Sequence, residues 1–249
     1  MRQFLEKPDQ PPGMPGDETQ TLASMGNYIF NRRVLVREAQ ADASTTSSTH
    51  DFGKDLLPRL WEREPVYVYD FGTNHVPGEG QEAAGFWVDI GTIEAYHQAS
   101  MELVDVSPTF NLYTRHWPIR CAQANLPPAK FVFADRESRR GGIATDSMVS
   151  EGCVVSGGHL ERSILGPQVR VNSYSHVSES VLFEGVSVGR HARIRRAIID
   201  KGVHIPENTT IGYDEDEDRK RYFVSPEGIV VIPKDGPLAD LHTSTLHKA

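Results

Sequence analysis

Residues 148–164 read MVSEGCVVSGGHLERSI, residues 165–181 LGPQVRVNSYSHVSESV, and residues 182–198 LFEGVSVGRHARIRRAI, followed by IDKGVHIPENTTI to residue 211. Stacked with an offset of seventeen, these rows give one column of Met148, Leu165, Leu182 and Ile199. A second column is Val154, Val171, Val188 and Ile205, and a third is Leu160, Val177, Ile194 and Ile211. Within a row the three apolar positions lie six residues apart, and the next row begins five residues later. That is the period of a parallel β-helix built from hexapeptides, with one flat strand on each face of a triangular prism. Parallel coils about 4.8 Å apart place like residues on like, so the inward columns must stay aliphatic. Gly185 with Gly202, and Asn172 with Gly189, fall at stacked corners where the backbone needs unusual dihedrals. A coil of this kind implies no chemistry by itself.

The chain has 249 residues, 38% hydrophobic and 24% charged, with a net charge of −8. That charge argues against general binding of nucleic acid or a membrane surface, and leaves room for a local site for a small anion. Cys121 and Cys153 offer neither a disulfide framework nor metal-ligand spacing, which points to a reducing, cytoplasmic setting. No apolar run approaches a membrane span, and Met1 to Lys7 has no apolar signal core.

Outside the repeat, short apolar runs at 1–7, Tyr28-Ile29-Phe30, Val66 to Phe71 and Phe86 to Ile90 read as strands. Pro8, Pro11, Pro12 and Pro15 with Gly13 and Gly16 mark a loop, and Ala39 to Thr49 reads as an exposed polar one. Asp51 caps a predicted helix carrying Leu56, Leu57, Leu60 and Trp61; Thr92 caps another that runs through Val104. This alternation from 1 to 105 suggests part of an α/β domain. A proline-rich connector follows. The acidic run Asp214 to Asp218 and the basic run Arg219 to Arg221 come just after the last full coil, before a final strand at Ile229 to Ile232. His159 and His176, seventeen apart, should stack on adjacent coils as a solvated ladder rather than a metal site, since no third ligand joins them at suitable spacing.

Several segments taken in order carry a resemblance to a known family. They are Phe4-Leu5-Glu6-Lys7-Pro8, Leu22-Ala23-Ser24-Met25-Gly26-Asn27-Tyr28-Ile29-Phe30 and Ser48-Thr49-His50-Asp51-Phe52-Gly53-Lys54-Asp55. Phe86-Trp87-Val88-Asp89-Ile90-Gly91-Thr92, Trp117-Pro118-Ile119-Arg120 and Leu126-Pro127-Pro128-Ala129-Lys130-Phe131 continue them, as do Ile198 to Pro206 and Glu227 to Val231. Together they resemble the glucose-1-phosphate adenylyltransferases, over nearly the whole chain to about residue 234. The resemblance implies α/β plus all-β architecture. Residues 1–106 would be the C-terminal part of a Rossmann-like nucleotidyltransferase catalytic domain, 107–146 an interdomain connector, 147–235 a left-handed parallel β-helix for regulation and oligomerisation, and 236–249 a flexible tail. Nothing here resembles the family's glycine-rich loop for ATP phosphates or its first metal aspartate. The expectation is therefore an incomplete chain, inactive alone, that carries the sugar-phosphate half of the site.

The family's reaction joins glucose 1-phosphate to the α-phosphate of ATP, giving ADP-glucose and pyrophosphate for α-glucan synthesis. Such chemistry needs charge neutralisation and alignment more than covalent catalysis. By resemblance Lys7 would place its charge on the sugar phosphate, Glu6 would accept from sugar hydroxyls, and Ser24 would donate to the same phosphate. Asp89 matches a carboxylate for Mg²⁺, whose hard-oxygen preference it suits. Read without the family, Glu6 and Lys7 are a solvated pair, Ser24 is a turn residue and Asp89 is a helix cap. Val88 stands where the family often has arginine. His50, Asp51 and Lys54 would start a helix, anchor a loop and support the sugar pocket. Lys201 and Lys234 match basic positions for a phosphorylated allosteric effector, though each also reads as an ordinary surface lysine. A homotetramer is the implied assembly. The alternatives are a non-catalytic regulatory or assembly module and a hexapeptide acyltransferase.

Overall fold

The computed structural model describes residues 4–5, 7–14, 16–75, 77, 85–121, 124–135, 137 and 140–236. The chain divides into two compact units, residues 1–74 and 75–249.

The second unit is dominated by the prism. Its first coil comprises β1 (Lys130–Val132), β2 (Ile143–Thr145) and β3 (Met148–Val149). The second comprises β4 (Val154–Ser156), β5 (His159–Glu161) and β6 (Ile164–Leu165), and the third β7 (Arg170–Val171), β8 (His176–Ser178) and β9 (Val181–Leu182). The fourth holds β10 (Ser187–Val188), β11 (Arg193–Arg195) and β12 (Ala197–Ile199); the fifth holds β13 (His204–Ile205) and β14 (Thr210–Ile211). Each face is one parallel sheet, ordered β1-β4-β7-β10-β13, β2-β5-β8-β11-β14 and β3-β6-β9-β12. A last strand, β16 (Val230–Ile232), supplies the missing third side by pairing with β12.

The registers give the inward columns. Val155, Val171, Val188 and Ile205 stack on one face, and Leu160, Val177, Ile194 and Ile211 on the next. Val149, Leu165, Leu182, Ile199 and Ile232 stack on the third. From Val155 through Ile232 these side chains are sealed from water. A further column of Cys153, Val169, Val186 and Val203 is also buried. It explains Cys153 as a core side chain, and burial pushes its thiol pKa up.

The expected phase of the first row is one residue out: Val149 and Val155, not Met148 and Val154, face the core. The offset to the following coil is sixteen residues at these two faces and seventeen at Leu160. The second coil spends one residue fewer on the corner between Val155 and Leu160, where Gly157 (φ 76°) and Gly158 sit. A Cβ on Gly158 would lie 2.7 Å from Val171 Cγ1, so only glycine allows this tight corner. Because strand side chains alternate, a one-residue slip exchanges inner and outer faces. The prism also begins earlier than the repeat indicates, at Lys130. The stretch 133–142 between β1 and β2 hides the period of that coil from the sequence.

The acidic run after the last coil forms a helix that ends at Arg219. This is α4 (Glu215–Arg219), and β15 (Phe223–Val224) then pairs antiparallel with β16. Asp214 Oδ1 caps this helix at Glu217 N, 3.1 Å away. Acids at its start and Arg219 and Lys220 at its end suit the helix dipole, with ion pairs Arg219–Glu215 and Lys220–Glu217 both at 2.5 Å. Asp218 turns inward to accept from Gly212 N at 2.7 Å, and burial raises its carboxyl pKa.

Ahead of the prism, α3 (Ile93–Glu102) starts at Thr92, whose hydroxyl accepts from Ala95 N as expected. It docks on the prism. His97, buried, places Nε2 2.7 Å from the Glu179 carbonyl, and Tyr96 meets Phe183 edge-on. Arg162 joins Asp105 at 2.9 Å.

In the first unit, α1 (Arg32–Ala43) begins at Asn31, whose side chain accepts from Arg33 N. It absorbs Ala39 to Ala43, part of the stretch expected as loop, because alanines propagate helix readily. Asp51 caps the next helix as expected, accepting from Gly53 N at 2.7 Å and Lys54 N at 2.9 Å. That helix opens as a wide π turn over Phe52–Leu56 before α2 (Leu57–Leu60). Pro58 explains the widening, since it lacks an N–H and its ring would clash with the carbonyl of Lys54 in a regular turn. Leu56, Leu57 and Leu60 are buried. The runs 28–30, 66–70 and 86–90 are extended but form no strand among the described residues, and Ile29, Tyr67, Val68 and Trp87 are exposed. A strand exists only with a hydrogen-bonded neighbour, which propensity alone cannot supply.

Two outcomes follow for the prism. Leu182→Ala opens a cavity at the centre of a column and should cost about 3 kcal/mol in urea unfolding; a loss under about 1 kcal/mol would contradict this packing. His159 and His176 lie side by side on adjacent coils as expected, their rings edge-to-face with centroids 5.2 Å apart. Burial first, then His159 and Arg193, hold the His176 pKa below its ordinary 6.5, while Glu161 opposes them. The unfolded state then binds the proton more tightly. Stability should fall as pH drops through 6.5 towards the lower folded value. His176→Gln should flatten that slope in thermal melts across this range.

Candidate functional site

Five of the six residues singled out by sequence are described; Glu6 lies outside the described residues. Lys7 and Ser24 belong to the first unit, and Asp89, Lys201 and Lys234 to the second.

Lys7 is exposed, and its backbone is left-handed at φ 43°, a conformation unusual for a residue with a side chain. The proline loop after it is closed at its base, where Thr21 Oγ1 donates to the Pro12 carbonyl at 2.8 Å and Met14 N donates to Gln20 O at 2.8 Å. Ser24 lies three residues beyond that base. Its Oγ accepts from Gly26 N at 3.1 Å, which forms the tight turn, and lies 2.7 Å from Tyr28 Oη. Gly26 takes φ 74° there. Ser24 thus makes the turn and presents its hydroxyl at the surface.

Tyr28 leads to a group of residues that sequence reasoning passed over as functional. Its ring stacks near-parallel on Phe52, centroids 6.1 Å apart, and Phe30 meets both at 5.8 and 6.2 Å. Tyr28 and Phe52 are exposed, with the Ser24 hydroxyl at the rim. An exposed aromatic surface edged by hydroxyls suits the apolar face and polar edge of a sugar ring. The signal was present in Asn27-Tyr28-Ile29-Phe30 and Asp51-Phe52, but the first was read as a strand and the second as a helix start.

Phe52 is held by the helix start at Asp51, and the loop before Asp51 is fastened to a buried carboxylate. Asp42 accepts from Ser48 Oγ at 2.8 Å and from the Arg59 guanidinium, and lies 2.7 Å from His50 Nδ1. The His50 and Ser48 hydrogen bonds, with the Arg59 charge, hold the Asp42 carboxyl below its usual range. Asp55 secures the same loop by accepting from Thr49 Oγ1 at 2.7 Å and Asp51 N at 3.1 Å. His50 and Asp51 thus anchor the loop and start the helix as expected; Lys54 contributes its backbone amide to the cap, and Asp55, not singled out by the sequence, completes the anchor.

In the second unit, Asp89 is exposed and its Oδ1 accepts from Gly91 N at 2.9 Å. Thr92, not Asp89, caps α3. Phe86, Val88 and Ile90 line an apolar cavity of about 250 Å³ together with Tyr96, Leu103 and Phe110. Val88 borders this pocket and is 41% exposed. Among the described residues no group of three His, Cys, Asp or Glu side chains could hold a metal. Asp89 can contribute one hard oxygen ligand, which suits a Mg²⁺ whose other ligands are phosphate oxygens and water.

Lys201 and Lys234 lie thirty-three positions apart in the chain and meet at one carboxylate. Asp200 Oδ1 accepts from Lys201 N at 2.7 Å, and Asp200 Oδ2 from Lys234 N at 3.3 Å. The β12–β16 pairing creates this juxtaposition. Both side chains are exposed, so two ammonium groups spring from adjoining backbone. Arg193 and Arg195, near in sequence, turn to another face, where both guanidinium groups lie over the Tyr213 ring.

Residues 1–106 match the nucleotidyl transferase family model, and residues 127–232 match the model for the GlmU-like, C-terminal hexapeptide. The chain is 57% identical over 93% of its length to a glucose-1-phosphate adenylyltransferase of Anaeromyxobacter sp., covering 56% of that protein. It is 53% identical to the Thermus thermophilus protein of that name, over 93% of this chain and 56% of the relative. For the Methylococcus capsulatus protein the figures are 48%, 94% and 54%. The chain spans about half the length of the curated relatives it matches. No helix among the described residues is long and apolar enough to cross a membrane.

Asp200→Ala removes the acceptor of both lysine amides. It should lower prism stability by about 1–3 kcal/mol in urea unfolding, the ordinary range for hydrogen bonds to a charged acceptor. Asp200→Asn should recover part of that loss.

Proposed function

Because this chain belongs to the glucose-1-phosphate adenylyltransferase family, we propose that it serves the transfer of the adenylyl group of ATP to glucose 1-phosphate, forming ADP-glucose and pyrophosphate for α-glucan synthesis. Its own contribution is the sugar-phosphate half of that site, and the observation that carries this is the exposed Tyr28–Phe52 surface with the Ser24 hydroxyl at its rim. The glucose ring lies on the aromatic surface. Lys7 neutralises the phosphate as a point charge, Ser24 donates to it, and Glu6 accepts from sugar hydroxyls. Fixing the phosphate oxygen for attack on the α-phosphorus of ATP is mainly a matter of alignment. Asp89 is the carboxylate that would hold Mg²⁺; the bound ion would offset charge developing on the phosphates.

Residues 1–106 belong in this scheme to the catalytic domain, 107–129 connect, and the prism from Lys130 onward regulates and assembles. The Lys201–Asp200–Lys234 clip is the binding point for a phosphorylated effector, since two ammonium groups held on one backbone junction offer an anion a ready pair of donors. The prism, with its flat parallel faces, supports a homotetramer, and the net charge of −8 suits a cytoplasmic enzyme with no nucleic-acid or membrane partner.

Calorimetric titration of this chain with glucose 1-phosphate tests the half-site. Saturable binding is expected, weakened at least about tenfold in Lys7→Ala by loss of a charge-assisted contact. In the complete enzyme the same substitution should leave ATP affinity nearly intact. Absence of sugar-phosphate binding by the unaltered chain would overturn the assignment.

A further inference from the structure

His50 is more than a loop anchor in geometry. Its Nδ1 lies 2.7 Å from Asp42 Oδ2, and the Asp42 side chain is only 4% exposed while the imidazole is 58% exposed. A buried carboxylate on one ring nitrogen fixes the tautomer and the ring plane, and leaves the other nitrogen as the group that acts. With Nδ1–H donating to Asp42, neutral His50 presents Nε2 as a hydrogen-bond acceptor, and Nε2 has no partner among the described residues. The backbone of His50 is left-handed at φ 61°, so the loop holds the ring in place against the usual preference of a Cβ-bearing residue. Ser48 and Arg59 both bind Asp42 Oδ1, and His50 Nδ1 is the hydrogen-bond partner of Oδ2. Its position in the chain adds the context. His50 immediately precedes Asp51, the cap of the turn carrying Phe52, and Phe52 is half of the aromatic surface.

We propose that His50 is a specificity-determining contact of the sugar site, with Nε2 accepting a hydrogen bond from one hydroxyl of the glucose ring and Asp42 as the residue that positions it. This rests on the half-site reading above. A site that pairs a substrate hydroxyl with a fixed acceptor discriminates against sugars that lack or invert it.

The test uses this chain, glucose 1-phosphate and its 2-, 3-, 4- and 6-deoxy analogues, with affinities from calorimetry. His50→Asn keeps a polar atom near Nδ1 for Asp42 and removes the outer nitrogen, so the clasp is spared. It should weaken glucose 1-phosphate binding about tenfold with little change in melting temperature. Against one of the four deoxy analogues, variant and unaltered chain should bind alike, because the hydroxyl that Nε2 accepts is then already gone. A merely structural role would weaken all five ligands equally, and that result, or an unchanged affinity, overturns the proposal. A second measurement needs no variant: the His50 Nε2 nitrogen resonance should move on saturation with glucose 1-phosphate and stay still with the matching deoxy sugar. If the unaltered chain binds no sugar phosphate, the half-site and the His50 contact fall together. If it binds and only the His50 expectations fail, the half-site stands.

Discussion

Everything in the second unit depends on one constraint: each inward side chain of the prism must sit directly above a similar one in the coil below. Parallel pairing at about 4.8 Å leaves no room for a column to mix apolar with polar side chains. Val171, Val188 and Ile205 on one face, and Leu165, Leu182 and Ile199 on another, meet that demand with side chains wholly removed from water. Each such burial is worth about 1.5–3 kcal/mol, so the columns, not the two- and three-residue strands, hold the prism together. The corners pay for this order with strained backbone: Arg162, Glu179 and Arg196 are stacked left-handed residues, at φ 42°, 46° and 49°.

The rigidity of those corners positions what is attached to them. Glu179 offers its carbonyl to His97 of α3, Arg162 reaches Asp105 just beyond that helix, and Arg196 donates to the Glu227 carbonyl at 3.0 Å. One edge of the prism therefore grips both α3 and the turn before β16. At the start of α3, only Ile90, Gly91 and Thr92 separate the helix from Asp89. On the other side, β16 carries Lys234 to Asp200. The proposed effector clip and the proposed metal carboxylate are thus fixed to the same stack of coils.

The first unit is built differently. It has little stacked apolar core beyond Leu56, Leu57 and Leu60, and it relies on polar fasteners: Asp42 with three partners, Asp55 with two backbone amides and Thr49, and Asn31 and Asp51 as caps. Aromatic and aliphatic side chains of the extended segments remain at the surface. Ile29 is fully exposed and Tyr67 nearly so, at 104% and 86%. Side chains of that kind are normally covered when their segment is a buried strand of an α/β sheet. The aromatic surface formed by Tyr28 and Phe52 lies among these uncovered groups.

The sequence by itself determined the prism, the caps at Asp51 and Thr92, and the family, because those signals are local or strictly periodic. A hexad of aliphatic residues repeats whether or not the chain is folded, and an N-cap needs only the next three amides. Only the tertiary structure decided the phase of the first row, since the shortened Gly157–Gly158 corner changes which side of a strand faces inward. It alone decided that the coil begins at Lys130, because the inserted residues 133–142 mask the period. The same holds for the site. Motifs nominate Lys7, Ser24, Asp89, Lys201 and Lys234 as candidates, but the meeting of Ser24 with Tyr28 and Phe52, of His50 with Asp42, and of Lys234 with Asp200 is not legible from them. Those contacts join residues four to thirty-four positions apart without any repeat between them, and a sequence records such neighbours only after the chain has folded them together.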